Sequence, residues 1–460
     1  MDIQLYTALI IGKIVKFLTR FLKIGGGTAA PGLASISLDK NFIQKTVKAC
    51  KISSIVITGT NGKTTTSRML NTILEKASIQ TIHNRAGSNL LRGVASTLIE
   101  KANLAGTIQQ QLAIWETDEA AMPEVIIQTK PKILIITNLF RDQLDRFGEI
   151  DKLRNIWGQA IKNFDEKETL VLNADDPQIA FLPNNPRAKI FYFGLNDESF
   201  GSKNLPKITD ARFCPNCGKP LNYKTVYVYH MGDYFCPKCS LRRPKLKVFV
   251  KKILKLQPES AKFELSTPEG EIEIKLTVGG LYNIYNALAA ATCAVSLGID
   301  LTNIKSGLEG FRAAFGRVEK FIINDKKISL YLVKNPAGFN EVIKTLFGDT
   351  TKWDVLIAIN DKIADGKDVS WLWDVDFENL SGKTRKVFVT GIRAQDMALR
   401  LKYAQIKEMD NFVDDNIEKA LKTAINSASS QLLILPTYTA MLEIRKILNK
   451  AGHGAKFWED

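Results

Sequence analysis

A short apolar run followed directly by a glycine-rich turn and a helical stretch constrains the fold of this chain more than any other feature. Residues 55–57 are consecutive β-branched residues, which favour a buried strand. Residues 63–77 have the pattern of a helix, and the turn between the two segments contains Gly59 and Gly62. Strand-turn-helix units of this kind belong to folds in which a mostly parallel sheet carries helices on both faces.

Further apolar runs, separated by helical stretches, repeat this pattern along the chain. Strands are predicted at 112–115, 133–136, 170–172, 355–359, 387–389 and 432–435, and a helix near 283–297. We therefore predict an α/β fold with a lead-in at 1–45, a central domain at 46–320 and a C-terminal α/β domain at 321–460. Residues 205–245 interrupt the rhythm of the central domain.

The glycine-rich turn has the chemistry of a phosphate-binding loop. Backbone N–H groups and the helix dipole converge at the start of a helix, where they bind phosphate. Lys63 is placed to neutralise the β- and γ-phosphates of ATP, and the Thr64 hydroxyl to ligate Mg²⁺. The loop is shorter than the general nucleotide loop, because Ile57 stands where the first glycine would be. The candidate nucleotide-binding residues here are Gly59, Thr60, Asn61, Gly62, Lys63, Thr64 and Thr65.

Four of the six cysteines form two C-x-x-C pairs, which are Cys214 with Cys217 and Cys236 with Cys239. This spacing is typical of a zinc ribbon whose four thiolates close the coordination shell, so that the site is structural. Structural zinc contributes about 10–16 kcal/mol, which is comparable to the whole stability of a domain at about 5–15 kcal/mol. We therefore expect the insert at 205–245 to need the metal to fold. The alternative is four cysteines without metal.

The chain is basic, with a net charge of +15, which favours anionic partners. Residues 5–23 predict an amphipathic helix with a stripe of basic side chains, Lys13, Lys16, Arg20 and Lys23. Its opposite, apolar face fits either an anionic membrane surface or packing against protein. We find no cleavable signal peptide and no apolar run of about 18 residues. A cytoplasmic protein, peripheral at most to the inner face of the membrane, is expected.

The loop sequence GTNGKTT resembles that of the Mur ligase family and of folylpolyglutamate synthases, which join amines to carboxylates with ATP. This resemblance implies that Glu116 binds Mg²⁺ together with Thr64, and that Asn283 contacts the adenine. It also implies a nucleotide role for Arg317, within a Gly-Arg-Val-Glu segment. Gln143 stands where these ligases usually have His, which leaves a metal role open. The alternatives are a solvated acid at Glu116 and a helix N-cap at Asn283.

The four-cysteine insert and the segment 360–374 narrow the resemblance to one branch of that family, the ligase subunits of lipid II isoglutaminyl synthases. The resemblance covers about residues 50–445. It implies ATP-dependent amidation of the D-glutamate α-carboxyl of the lipid II stem peptide in cell-wall synthesis, through an acyl phosphate. It also implies a separate glutaminase subunit, GatD. The resemblance further implies that an aspartate of this chain, Asp368 or, as second choice, Asp365, acts as the orienting acid of the Cys-His pair in that subunit. The alternative is that these aspartates only shape a turn.

The residues themselves favour an external source of ammonia. Cys50 and Cys293 lack the context of an activated nucleophile, and the other cysteines belong to the ribbon. Two other functions stay open, a Mur-type ligase that adds an amino acid and an ATP-dependent zinc-ribbon protein that binds nucleic acid. The second alternative predicts binding that weakens steeply with salt.

Overall fold

The structure is a computed structural model that describes residues 2–22, 29–84, 88–141, 150–182, 187–206, 209–312, 318–347, 352–406 and 412–453. Within these ranges the chain divides into two compact units. Residues of 1–140 and 149–311 form the first, and residues of 141–148 and 312–460 form the second. Among the helices of the described ranges, not one combines the length and hydrophobicity needed to cross a bilayer.

Three helices lead into the first unit, and they are α1 (Ile3–Phe21), α2 (Ala30–Leu38) and α3 (Phe42–Ala49). The predicted amphipathic helix is therefore confirmed as a helix. It buries Leu5, Ala8, Leu9 and Gly12, and the Ser35 hydroxyl of α2 donates a hydrogen bond to the Ala8 carbonyl at 2.8 Å. The opposite side leaves Phe17 68% and Phe21 74% exposed. Lys23 and the glycine run that follows it lie outside the described residues.

The sheet of the first unit is mostly parallel, as predicted. Its strands occur in the order β11-β10-β9-β6-β5-β4-β1-β3-β2. They are β1 (Ser53–Thr58), β2 (Thr81–His83), β3 (Leu112–Glu116), β4 (Ile133–Ile136), β5 (Thr169–Asn173), β6 (Lys189–Leu195), β9 (Val248–Gln257), β10 (Ser260–Thr267) and β11 (Gly270–Leu276). Continuous apolar runs form β1, β3, β4 and β5 because these strands are buried on both faces.

Helices connect the strands of this sheet. They are α4 (Lys63–Lys76), α5 (Leu91–Lys101), α6 (Met122–Thr129), α7 (Ile150–Ile161), α8 (Pro177–Ala180), α9 (Leu281–Ser296) and α10 (Leu301–Gly310). Helix α4 directly follows β1 and the glycine-rich turn. Helix α9 matches the helix predicted near 283–297.

The insert leaves the sheet after β6 and returns at β9. It contains a hairpin of β7 (Asn222–Val228) and β8 (Met231–Phe235), which pair antiparallel. The strands β9 to β11 form an antiparallel extension that the sequence pattern did not predict. In β9 and β11 buried residues are separated by charged, exposed ones, so neither strand shows the continuous apolar run used to find the others.

The second unit has its own sheet, in the order β12-β13-β17-β14-β15-β16. Strands β12 (Val318–Ile323) and β13 (Lys326–Tyr331) pair antiparallel, and the other pairs are parallel. The remaining elements are α11 (Pro336–Leu346), β14 (Trp353–Ala358), β15 (Thr384–Thr390), α12 (Ala394–Tyr403), β16 (Val413–Asp414), α13 (Ile417–Ser427), β17 (Gln431–Pro436) and α14 (Tyr438–Lys450), with 3₁₀ turns at Ser370–Asp374 and Phe377–Leu380. Apolar clusters fill both faces of this sheet.

Candidate active site and metal centre

The phosphate loop spans the gap between the carboxyl end of β1 and the start of α4. Gly59 has φ +131° and Gly62 has φ +88°, in the region that favours glycine. A Cβ atom at Gly62 would collide with the side-chain oxygen of Asn286. The two glycines therefore let the loop turn tightly against α9 and present the first N–H groups of α4.

The end of β4 holds this loop in place. The Asn61 N–H donates to the Asn138 side-chain oxygen at 2.8 Å, and the Asn138 amide donates back to the Asn61 carbonyl at 3.0 Å. The Thr137 hydroxyl also donates to the Asn61 carbonyl, at 2.8 Å. Two residues after Asn138, the Phe140 N–H donates to the Thr60 hydroxyl at 3.0 Å. The loop conformation is thus fixed by side chains from a neighbouring strand end.

Lys63 is buried within the loop, with 8% exposure. Its ammonium donates to the Gly59 carbonyl at 2.5 Å and to the Thr60 carbonyl at 3.3 Å. It also forms an ion pair with Glu119 at 2.9 Å, in which both side chains are less than a tenth exposed. A cation held at this position lies where a phosphate on the loop would carry negative charge.

Thr64 and Glu116 lie side by side at the start of α4. The Thr64 hydroxyl donates to a Glu116 carboxylate oxygen at 2.7 Å. The Asn84 side chain fixes the Glu116 backbone, since it accepts from the Glu116 N–H and donates to its carbonyl, each at 2.9 Å. Two hard oxygen donors next to a phosphate loop fit Mg²⁺, which is held by one or two carboxylate or hydroxyl ligands together with phosphates.

The start of α9 lies beside the same loop. The Thr66 hydroxyl donates to the Asn286 side-chain oxygen at 3.4 Å. The Asn283 amide donates to the Gly279 carbonyl at 2.7 Å, and its side-chain oxygen accepts from Asn286 at 3.2 Å. Asn283 thus closes the first turn of α9, and its adenine contact stays a prediction. Thr65 is buried in the first turn of α4, whereas Arg317 and Gln143 lie outside the described residues.

The four ribbon cysteines come together as one cluster. Their sulfur atoms all lie within 4.8 Å of one another, with Cys214 and Cys239 3.6 Å apart and Cys217 and Cys236 3.5 Å apart. Tetrahedral zinc with Zn–S bonds of about 2.3 Å requires sulfur separations of about 3.8 Å. The donor set and its spacing therefore fit a zinc ion.

The environments of the individual thiols differ. Burial raises the pKa of Cys214 to about 12. The Leu241 N–H, helped by the Asn216 side chain, lowers the pKa of Cys239 to about 6. A bound cation would supply the positive charge that four clustered thiolates need.

The two candidate aspartates of the second unit differ in their surroundings. Asp365 is buried, and its carboxylate accepts hydrogen bonds from the Thr439 N–H at 2.7 Å and from the Lys362 N–H at 3.1 Å. Asp368 is half-buried, and one of its oxygens accepts from the Ser370 N–H at 2.8 Å. Asp365 therefore holds its own loop together, and Asp368 has the more accessible carboxylate.

Some of the residues around the phosphate loop were not singled out from the sequence. Glu119 pairs with Lys63, and Asn84 positions Glu116. Asn138 exchanges hydrogen bonds with the Asn61 backbone. All three follow the carboxyl ends of parallel strands, β2, β3 and β4, where side chains of a parallel sheet converge on a ligand. Polar residues just after β2, β3 and β4 were the available signal.

Two family descriptions match the chain. The Mur ligase middle domain matches residues 57–215, and the MurT ligase C-terminal domain matches residues 332–441. Among solved structures, a pseudomurein peptide ligase type C from Methanothermus fervidus is similar with a TM-score of 0.68 and 24% identity, over 87% of this chain and 79% of that one. Fold and phosphate loop together define the Mur ligase class.

Two curated relatives narrow the class. Both carry the name lipid II isoglutaminyl synthase (glutamine-hydrolyzing) subunit MurT. The one from Streptococcus pneumoniae is 35% identical over 97% of this chain and 98% of the relative. The one from Staphylococcus aureus is 33% identical over 98% of this chain and 99% of the relative. The chain belongs to the MurT family.

Proposed function

We propose that this chain is the ligase subunit of an enzyme that amidates the D-glutamate α-carboxyl of the lipid II stem peptide, a step of peptidoglycan synthesis. The observation that carries the proposal is the likeness to MurT subunits along nearly the whole chain, with 35% identity over 97% of it. The likeness includes the phosphate loop and the C-terminal unit. A ligase that adds an amino acid, or a protein that binds nucleic acid, would not account for it.

The reaction needs an activated carboxylate. The substrate carboxylate oxygen attacks the γ-phosphorus of ATP, and ADP leaves, which gives an acyl phosphate. Ammonia then attacks the acyl carbon, phosphate leaves and a proton is lost, which gives the amide. Lys63 stabilises the charge on the transferring phosphoryl group, which is the main work in phosphoryl transfer. Thr64 and Glu116 would hold Mg²⁺, which supplies further positive charge at the phosphates.

Ammonia comes from a separate glutaminase subunit of the GatD type. The two cysteines outside the ribbon support this view, because burial raises the pKa of both the Cys50 and the Cys293 thiol. A thiol with a raised pKa is a poor nucleophile at neutral pH. Asp368, with its accessible carboxylate, serves as the orienting acid of the glutaminase Cys-His pair. Asp365 shapes the loop that carries it.

The ribbon holds a structural zinc ion through Cys214, Cys217, Cys236 and Cys239. A closed shell of four sulfur ligands leaves no position for a substrate. The metal therefore stabilises the insert and takes no part in the chemistry.

The enzyme works at the inner face of the membrane, where a lipid-linked substrate lies. Helix α1 supports this location, because Ile14, Phe17 and Phe21 are exposed along one side of a helix without an acidic residue.

A vesicle-binding experiment tests the role of α1. Sedimentation of the chain with phosphatidylglycerol vesicles should fall for the double variant Phe17→Ser, Phe21→Ser. It should not change for the control Leu399→Ser, at a half-exposed leucine in the second unit. Equal sedimentation of all three proteins would contradict the membrane role of α1.

Phosphate release distinguishes the proposed reaction from its alternatives. The full chain with ATP and Mg²⁺ should release phosphate only when both lipid II and ammonium are present. Replacing ammonium by glutamine should abolish release unless the glutaminase subunit is added. Release driven by an amino acid in place of ammonium would instead identify an amino-acid-adding ligase.

A further inference from the structure

The turn of the β7–β8 hairpin is buried, although hairpin turns normally face solvent. Tyr229, with φ +55°, and His230 form this turn between the paired residues Val228 and Met231. His230 is fully buried and Tyr229 is 7% exposed. Their rings pack on Phe140, with centroid distances of 4.9 Å for His230 and 5.6 Å for Tyr229. The hairpin tip is therefore packed inside the first unit, against the segment that follows β4.

The segment that follows β4, residues 137–140, holds the phosphate loop. Phe140, which the tip contacts, exchanges two hydrogen bonds with Thr60, at 3.0 and 3.1 Å. Asp176 makes a second connection. One of its oxygens accepts from the Leu139 N–H at 2.8 Å, and the other lies 3.4 Å from His230 Nε2. His230 thus touches the supports of the phosphate loop both directly and through Asp176.

Further contacts fix the hairpin to the same place. The Gly232 N–H donates to the Asp175 carbonyl at 2.8 Å. The Asn173 amide lies between the Thr137 carbonyl, at 2.9 Å, and the Met231 sulfur, at 3.2 Å. These contacts leave the tip little freedom to move without moving the carboxyl ends of β4 and β5.

The insert reaches this region a second time, just after the ribbon. Arg243 forms a buried ion pair with Asp175 at 2.7 Å. The other Asp175 oxygen accepts from the Tyr285 hydroxyl of α9 at 2.6 Å. Strand β8 ends at Phe235, directly before the ribbon ligand Cys236. The metal cluster therefore lies at one end of a short hairpin whose other end supports the phosphate loop.

We propose that the hairpin tip positions the phosphate loop, with His230 as the positioning residue, so that metal binding by the four cysteines tightens nucleotide binding. The inference rests on the proposed nucleotide role of the loop. His230 keeps Phe140 and Asp176 in place, and these keep Thr60 and the N–H of Leu139 in place. Loss of the imidazole leaves a gap in a packed region, and small shifts of positioning groups are costly for ligand geometry.

Calorimetric titration of the full chain with ADP and Mg²⁺ tests the role of His230. His230→Ala should weaken ADP binding about tenfold, because the supports of Thr60 and Leu139 lose their packing partner. His230→Gln fills part of the same space with a polar side chain of similar reach and should bind within about threefold of the parent. The matched control is Lys224→Ala, in the same hairpin but with a 64% exposed side chain, and it should bind like the parent.

The outcomes separate the two proposals. A parent chain that fails to bind ADP would overturn the phosphate-loop assignment itself, and the inference with it. A parent that binds ADP, together with folded His230→Ala protein of equal affinity, would overturn only the positioning role.

Hydrogen exchange tests the same coupling in the unsubstituted chain. Stripping the metal with a chelator should speed amide exchange in a peptide covering Thr60 to Thr64, and reloading with Zn²⁺ should reverse it. Unchanged exchange in that peptide, with faster exchange in the ribbon itself, would overturn the coupling. This result does not depend on whether a His230 variant folds.

Discussion

Replacing Lys63 with methionine should lower the free energy of unfolding of the first unit and also abolish activity. The Lys63 ammonium lies 2.9 Å from Glu119, and both side chains are less than a tenth exposed. Lys63→Met leaves the Glu119 carboxylate in a low-dielectric interior without its cation. Breaking a buried ion pair in this way costs about 3–5 kcal/mol, a large part of a typical stability of about 5–15 kcal/mol.

The double variant Lys63→Met, Glu119→Gln separates folding from chemistry. Glutamine removes the buried charge, so the double variant should recover most of the stability that the single variant loses. It should stay inactive in phosphate release, because the ammonium of the phosphate loop is still missing. Urea unfolding, followed by the fluorescence of the buried Trp115 and Trp157, measures the first quantity.

Two results would refute this reasoning. A double variant as unstable as Lys63→Met would show that Glu119 does not depend on the ammonium. A double variant that regains phosphate release would show that Lys63 serves folding alone.

Four further predictions concern the rest of the molecule. Cys214→Ser should abolish zinc binding and expose residues 205–245 to protease, whereas unchanged zinc content and protease resistance would contradict the ribbon. In a complex with the glutaminase subunit, Asp368→Asn should lower glutamine hydrolysis, and unchanged rates with the complex intact would refute its role. Asp365→Asn should instead destabilise the second unit, as thermal unfolding would show. Burial raises the pKa of Glu341 from 4.5 to about 7. As the pH rises between these two values, the unfolded chain loses the Glu341 proton before the folded chain does, and the folded state loses stability. Glu341→Gln should therefore stabilise the second unit by about 3 kcal/mol above neutral pH and have little effect below the lower value, and a stability difference independent of pH would contradict this.

The strands that the sequence predicted are those that are buried on both faces. Residues 55–57 and 133–136 are continuous apolar runs because helices cover both sides of the parallel sheet. The antiparallel extension at 248–276 escaped prediction for the opposite reason. Its strands expose one side, and charged residues there interrupt the apolar pattern.

The parts of the candidate site that are formed by residues close together in the chain could also be predicted from the sequence. The glycines, Lys63 and Thr64 follow one another in the chain, and the C-x-x-C pairs carry their own spacing. The sequence did not predict the pairing of Lys63 with Glu119 or the contact of His230 with Asp176. Each joins residues far apart in the chain, so that only the strand order and the path of the insert bring them together.

Locating the nitrogen atom that is incorporated into lipid II tests the central claim most directly. The full chain would be incubated with lipid II, ATP, Mg²⁺ and isotope-labelled ammonium, and the stem peptide analysed by tandem mass spectrometry. We predict labelled nitrogen in an α-carboxamide on D-glutamate, and none with Lys63→Met. Lipid II that stays unmodified while the chain binds ATP, or label at any other residue of the stem peptide, would contradict the proposed function.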